Sequence, residues 1–61
     1  MITKVDYELI AMCIRKCTMS QDTRNTLVLD MCREFKAQNR AFRPDYFVKA
    51  CGADVSLLLV L

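Results

Sequence analysis

Cysteine is the residue type in this 61-residue chain best suited to bind a metal or form a covalent bond, and the chain has four copies of it. Cys13 and Cys17 lie one helical turn apart, whereas Cys32 and Cys51 are isolated. The chain has no histidine, so a zinc site would need four thiolates, which such sites usually supply as two tight pairs. Because all the cysteines fall on apolar faces of predicted helices, we expect core packing. A four-cysteine zinc site and disulfides are the alternatives, and no cofactor is predicted.

The acidic residues show no arrangement suited to acid–base catalysis. Histidine, the commonest proton shuttle, is absent. With one glycine, the chain also lacks a glycine-rich loop for phosphate. The carboxylates are scattered over first helical turns and outer faces: Asp6, Glu8, Asp22, Asp30, Glu34, Asp45 and Asp54. We therefore predict that the protein is not an enzyme and has no catalytic residues.

Composition favours a protein that binds another macromolecule. Hydrophobic residues make up 54 % of the chain, above the roughly 45–50 % of ordinary globular proteins. A chain this short builds a marginal core, so part of its apolar surface should be covered by a partner. The net charge of +2 is too small to indicate nucleic-acid binding by itself.

Two long helices should position these side chains. The first is predicted over 5–17 with Thr3 as its N-cap, and the second over 20–39 with Ser20 as its N-cap. Helical spacing predicts that the first helix buries Val5, Leu9, Ile10, Met12, Cys13, Ile14 and Cys17. The same rule predicts that the second buries Leu27, Val28, Met31, Cys32 and Phe35. The short link between them favours an antiparallel hairpin.

A third, short helix is predicted over 44–51, with Pro44 at its first position and Gly52 as its stop. Phe47, Ala50 and Cys51 form its apolar face, and Phe42 should fill the corner before it. The apolar tail 53–61 is compatible with either a strand or a helical turn. We predict one all-α domain over 1–61: an antiparallel helical hairpin plus a short third helix and an apolar C-terminal tail.

The apolar tail and the corner residues predict a surface for a protein partner. Tyrosine and arginine are enriched at interface hot spots, so we expect Tyr46 and Arg43 to contribute, together with Leu57, Leu58 and Val60. The sequence begins with no secretory signal pattern, and its longest apolar run is too short to span a bilayer. A cytoplasmic protein without membrane contact is therefore expected.

DNA binding is the alternative, because helix, short break and helix is the outline of a helix-turn-helix. Ser20, Gln21, Thr23 and Arg24 would then open the recognition helix and reach bases and phosphates. Phosphate contacts could come from Arg33, Lys36, Arg40, Arg43 and Lys49. Acidic residues alternate with these basic ones, however, and the break contains no glycine.

The segment 39–52 has an asparagine, a phenylalanine three residues later, and a short helix that ends Phe-Val-Lys-Ala-Cys-Gly. This pattern resembles the C-terminal end of many short, uncharacterised proteins of phages and prophages. The matching positions are Asn39, Phe42, Phe47, Ala50, Cys51 and Gly52. Arg40 and Arg43 replace the usual proline and aspartate. The resemblance implies a phage-like origin and no activity. The excess of apolar residues predicts a self-associating interaction module, and the phage-like origin adds inhibition of a host enzyme or defence complex, in the host cytoplasm, as its expected biological role.

Overall fold

A computed structural model describes residues 3–61 and places three α-helices in this part of the chain. They are α1 (Lys4–Lys16), α2 (Gln21–Gln38) and α3 (Pro44–Cys51), followed by a 3₁₀ helix (Val55–Leu59). The all-α prediction is confirmed. The ends of α1 and α2 lie within a residue of their predicted positions, and α3 has its predicted bounds. The tail forms the helical turn rather than the strand.

Local capping explains where these helices begin and end. In a reciprocal capping box, the Asp6 backbone N–H donates to Thr3 Oγ1 (3.3 Å) and the Thr3 N–H donates to Asp6 Oδ2 (2.9 Å). Ser20 Oγ accepts the Thr23 N–H at 3.1 Å and begins α2. Gly52 ends α3 in the left-handed region, at φ +74°, which a residue with a Cβ rarely adopts.

The two long helices run in antiparallel order, but they make few of the close backbone contacts that the predicted hairpin would have. The Tyr7 and Phe35 ring centroids are 5.0 Å apart, which joins the start of α1 to the end of α2. At the other end, the Arg24 guanidinium donates to the Cys17 carbonyl at 3.0 Å. Most of the close backbone contacts between helices join α3 to α1 and α3 to α2. The short third helix thus provides much of the packing that a simple hairpin would make directly.

The buried centre consists mainly of small side chains. Ala11, Val28, Cys32, Val48 and Cys51 are each 0 % exposed. Small residues let helix backbones approach closely, and α3 approaches α1 in this way at Ala11. Of these five fully buried residues, α2 and α3 contribute two each and α1 contributes one.

Four aromatic rings fill the end of the core near the α2–α3 corner, and we call Tyr7, Phe35, Phe42 and Phe47 the aromatic cluster. Neighbouring rings meet edge-on or tilted, for example Tyr7 and Phe42 with centroids 4.9 Å apart and Phe42 and Phe47 at 5.6 Å. Such geometry adds about 0.5–1.5 kcal/mol per pair beyond area burial. Phe42 is buried at the corner, as predicted.

The predicted buried face of α1 is wrong in most of its members. The helix buries Ala11 and Ile14 and partly buries Tyr7 and Ile10. The other predicted residues are exposed: Val5, Leu9, Met12, Cys13 and Cys17. Because α1 carries apolar residues on two opposite sides, only one side can face α3. The side with Tyr7 is used because its ring completes the aromatic cluster. Leu27 on α2 is likewise exposed.

The overall shape explains why one side of α1 remains uncovered. The Cα positions extend 29 × 24 × 14 Å. The Cα atoms of a helix lie within about 2.3 Å of its axis, and packed helices are about 8–10 Å apart, so the shortest dimension holds two helix layers and no third. The outward side of α1 therefore lies on the surface.

Candidate interaction surfaces

The uncovered side of α1 carries three apolar residues in a line, which we call the outer stripe. Val5 is 61 % exposed, Leu9 51 % and Met12 45 %. Their spacing of four and then three residues puts them on one helical face, opposite the buried Ala11 and Ile14. Isolated exposed hydrophobic residues are normal, but a line of them on one helix face is a candidate binding surface.

The C-terminal segment forms a second apolar surface. We call Val55, Leu59, Val60 and Leu61 the C-terminal surface, since each is exposed and Leu59 reaches 87 %. Leu57 and Leu58 instead pack partly buried against the core, and Ala53 is buried. Of the tail residues predicted to bind a partner, Val60 is therefore accessible, whereas Leu57 and Leu58 anchor the segment.

Hydrogen bonds to α2 fix the start of this segment. Asn25 Oδ1 accepts the Asp54 backbone N–H at 2.9 Å, and Gln21 Nε2 donates to the Gly52 carbonyl at 3.3 Å. The Asp54 carboxylate in turn accepts the Ser56 N–H at 2.9 Å, and this backbone bond holds the Asp54 pKa below its usual value. The apolar side chains beyond it are thus held on an anchored turn.

Tyr46 and Arg43, the other predicted partner residues, lie beside a groove between α1 and the α2–α3 corner. Tyr46 is 67 % exposed, and the Arg43 guanidinium lies 5.0 Å from the centre of its ring. Arg43 also pairs with Asp45 at 3.2 Å. The groove has a volume of about 700 Å³ and is lined also by Lys4 and Glu8. It offers charged and aromatic groups side by side.

The residues predicted for DNA contact have structural partners within the protein. Ser20 Oγ donates to Thr23 Oγ1 at 2.9 Å while capping α2, and Gln21 also bonds Asn25 Oδ1 at 2.9 Å. Ser20, Gln21 and Thr23 are nonetheless exposed. These positions therefore hold the start of α2 in place, whatever else they contact.

Arg24 has the most extensive of these structural roles. Its guanidinium donates to the carbonyls of Cys17 (3.0 Å), Arg15 (3.3 Å) and Ile14 (3.4 Å). These carbonyls belong to the C-terminal turn of α1, where the helix dipole favours a positive charge. Arg24 Nε is buried without a hydrogen-bond partner in residues 3–61. Sequence periodicity gave no sign of this contact, because its partners come from a different helix.

Two of the basic residues proposed for phosphate contact are also engaged, Arg43 in its ion pair with Asp45 and Lys36 in the turn after α2. Lys36 Nζ donates to the carbonyls of Arg40 (2.6 Å) and Phe42 (3.2 Å), and so closes the turn after α2. Arg33, Arg40 and Lys49 are exposed.

The cysteines divide into two pairs with different environments. Cys32 and Cys51 are buried, as predicted, and burial raises the pKa of Cys32 to about 11 and that of Cys51 to about 12. Cys13 and Cys17 are exposed, so the prediction of core packing is wrong for them. All are free thiols. Within residues 3–61, no cluster of three or more His, Cys, Asp or Glu side chains could hold a metal.

Sequence reasoning missed the outer stripe and Leu59 as surface features. The available signal was the width of the apolar face of α1, which exceeds what a helix needs when it is covered on one side.

In the part of the chain that the structure describes, no helix is long and apolar enough to cross a membrane. Comparison of the chain with protein-family models, curated proteins and solved structures finds no match.

Proposed function

We propose that this protein is a non-enzymatic interaction module that associates with itself and binds a protein partner. The observation that carries the proposal is the grouping of exposed large hydrophobic side chains into the outer stripe and the C-terminal surface. Leaving these side chains in water forgoes a transfer free energy of about 25 cal/mol per Å². A protein partner would recover that free energy.

Inhibition of a host enzyme or defence complex is the biological role that we propose, and its support is the phage-type resemblance of segment 39–52. A small rigid module can block a larger protein without chemistry of its own. The two exposed free cysteines, Cys13 and Cys17, are compatible with a reducing compartment such as the cytoplasm.

The test is the mass in solution, measured by light scattering over a range of protein concentrations. We expect assemblies larger than one chain, and we expect them to weaken when Leu59→Ser and Val60→Ser are combined. These two exposed side chains can change without loss of core contacts. Ending the chain at Gly52 would be a poorer test, since Ala53, Leu57 and Leu58 contribute to the core. A monomer at every concentration would contradict self-association.

The helix-turn-helix alternative predicts a different response to salt. Affinity of a DNA-binding protein falls steeply as salt rises, because phosphate contacts release counterions. An apolar protein interface lacks this dependence. Binding to a labelled DNA duplex should therefore be measured at about 50 mM and about 200 mM salt. Tight, salt-sensitive binding would favour DNA, and its absence would favour a protein partner. Reversing the charge of Arg24 cannot separate the two, because Arg24 caps α1.

A further inference from the structure

The outer stripe has the spacing of a helix–helix seam. Val5, Leu9 and Met12 are separated by four and three residues, and Lys16 continues the pattern after four more. Alternation of three and four is the seam spacing of coiled coils, in which each apolar side chain inserts between side chains of a facing helix. A second α-helix is therefore the element that fits this stripe.

Two charges flank the stripe on the same side. Glu8 and Arg15 are seven residues, or two helical turns, apart, and both are exposed. Neither side chain forms a hydrogen bond or an ion pair with another residue of the described chain. Both charges are thus available to a neighbouring molecule.

We propose that the outer stripe pairs with the same stripe of a second copy of this chain, with the two α1 helices antiparallel. The proposal rests on the self-association proposed above, and it assigns part of that association to the outer stripe in a specific orientation, beside the contribution of the C-terminal surface. When Leu9 of one copy faces Met12 of the other, Val5 faces the aliphatic stem of Lys16. Glu8 then lies within about 3 Å, two residue rises along the helix axis, of the level of Arg15 in the second copy.

The charges select this orientation and this partner. The two-fold symmetry of an antiparallel pair generates two Glu8–Arg15 contacts from one complementary pair of residues. A parallel pair would instead place Lys16 beside Lys16, which is unfavourable between like charges. The same chain therefore supplies both halves of the charge pattern that this face needs.

The experiment is sedimentation equilibrium of the full chain from about 1 µM to about 1 mM, a range that suits an interface of one short helix per subunit. A reductant is present throughout, because Cys13 and Cys17 could otherwise cross-link copies. The variants are Glu8→Arg, Arg15→Glu and the two combined. We expect each single variant to raise the dissociation constant by about tenfold. The combined variant, with the charges exchanged, should return close to the original value.

A second pair of variants tests the stripe without changing charge. Leu9→Gln should raise the dissociation constant by at least about tenfold. Leu27→Gln is its matched control, because Leu27 is also exposed but lies on α2 outside the stripe. It should leave association unchanged. Circular dichroism checks that each variant keeps its helix content.

The outcomes separate this inference from the broader function. If the chain associates but Leu9→Gln and both charge variants leave the constant unchanged, the α1 pairing is wrong and another surface mediates association. If the combined charge variant is weaker than either single one, the antiparallel register is wrong. If the chain remains a monomer up to about 1 mM, both the pairing and the self-association are wrong.

Discussion

Replacing Arg24 with alanine should remove a large share of the stability of this fold. The change deletes the guanidinium that joins the N-terminal part of α2 to the last turn of α1. A well-formed hydrogen bond from a charged donor contributes about 1.5–3 kcal/mol. The bond to Cys17, at 3.0 Å, meets that description, whereas those to Arg15 and Ile14 are longer, at 3.3 and 3.4 Å. We therefore expect the free energy of unfolding to fall by about 2–3 kcal/mol.

That loss is large relative to the total free energy of unfolding of so small a protein. A core of this size supplies roughly 3–5 kcal/mol, so Arg24→Ala should leave a partly unfolded population at room temperature. The midpoint of thermal unfolding should fall by about 10–20 °C, since about 4–8 °C corresponds to each kcal/mol in a chain of this length. Arg24→Lys should be intermediate, because one ammonium cannot span three carbonyls as a planar guanidinium does.

The assay is chemical denaturation followed by circular dichroism, at one fixed protein concentration because association contributes to apparent stability. Arg33→Ala is the matched control: it removes the same charge from an exposed position on the same helix. It should change the free energy by less than about 0.5 kcal/mol. Equal effects of the two substitutions would refute the reasoning, because the loss would then reflect charge and not the cap.

Three further predictions concern reactivity, backbone strain and acid stability. Iodoacetamide should label Cys13 and Cys17 quickly in the native protein and the two buried cysteines only on unfolding. Mass spectrometry counts the adducts. Four rapid adducts would contradict the burial of Cys32 and Cys51. Gly52→Ala should lower the free energy of unfolding by about 1–2 kcal/mol, because the backbone φ of +74° is unfavourable for a residue with a Cβ. The space around the new Cβ is adequate, so no steric clash adds to this loss. Chemical denaturation measures the loss, and its absence would mean that the turn relaxes to another conformation. Hydrogen bonds from backbone N–H groups lower the pKa of Asp6 and of Asp54 below 3.8, so the unfolded state binds protons more readily. Their stabilising contribution is present above about pH 4 and falls as the pH drops through the lower folded pKa values; Asp54→Asn should reduce this dependence in melting curves recorded at several acidic pH values.

Sequence predicted the helices well because their ends depend on neighbouring residues. Thr3 with Asp6, Ser20 with Thr23, and Gly52 each act within a few residues of the helix end that they define. Such signals can be read without knowledge of the tertiary structure. The three helices were therefore predicted with nearly correct bounds.

The packing of α1 could not be predicted in the same way. Both sides of the helix are apolar, and the choice between them depends on whether α3 meets Tyr7 and Ala11 or Leu9 and Cys13. Composition did not reveal the roles of Arg24 and Leu59 either, because those depend on contacts between distant segments. The sequence predicted one member of the C-terminal surface, Val60. The outer stripe could be identified only from the folded structure.

The position of α3 also affects how the protein folds during synthesis. The short helix that contacts both long helices is the last of the three α-helices to be synthesised. Helices of this length are marginally stable in water without tertiary contacts, so α1 and α2 should remain largely unstructured until translation has passed Cys51. Folding of this domain is therefore expected to be a late, cooperative event, and a purified fragment that ends before Pro44 should be sensitive to proteases.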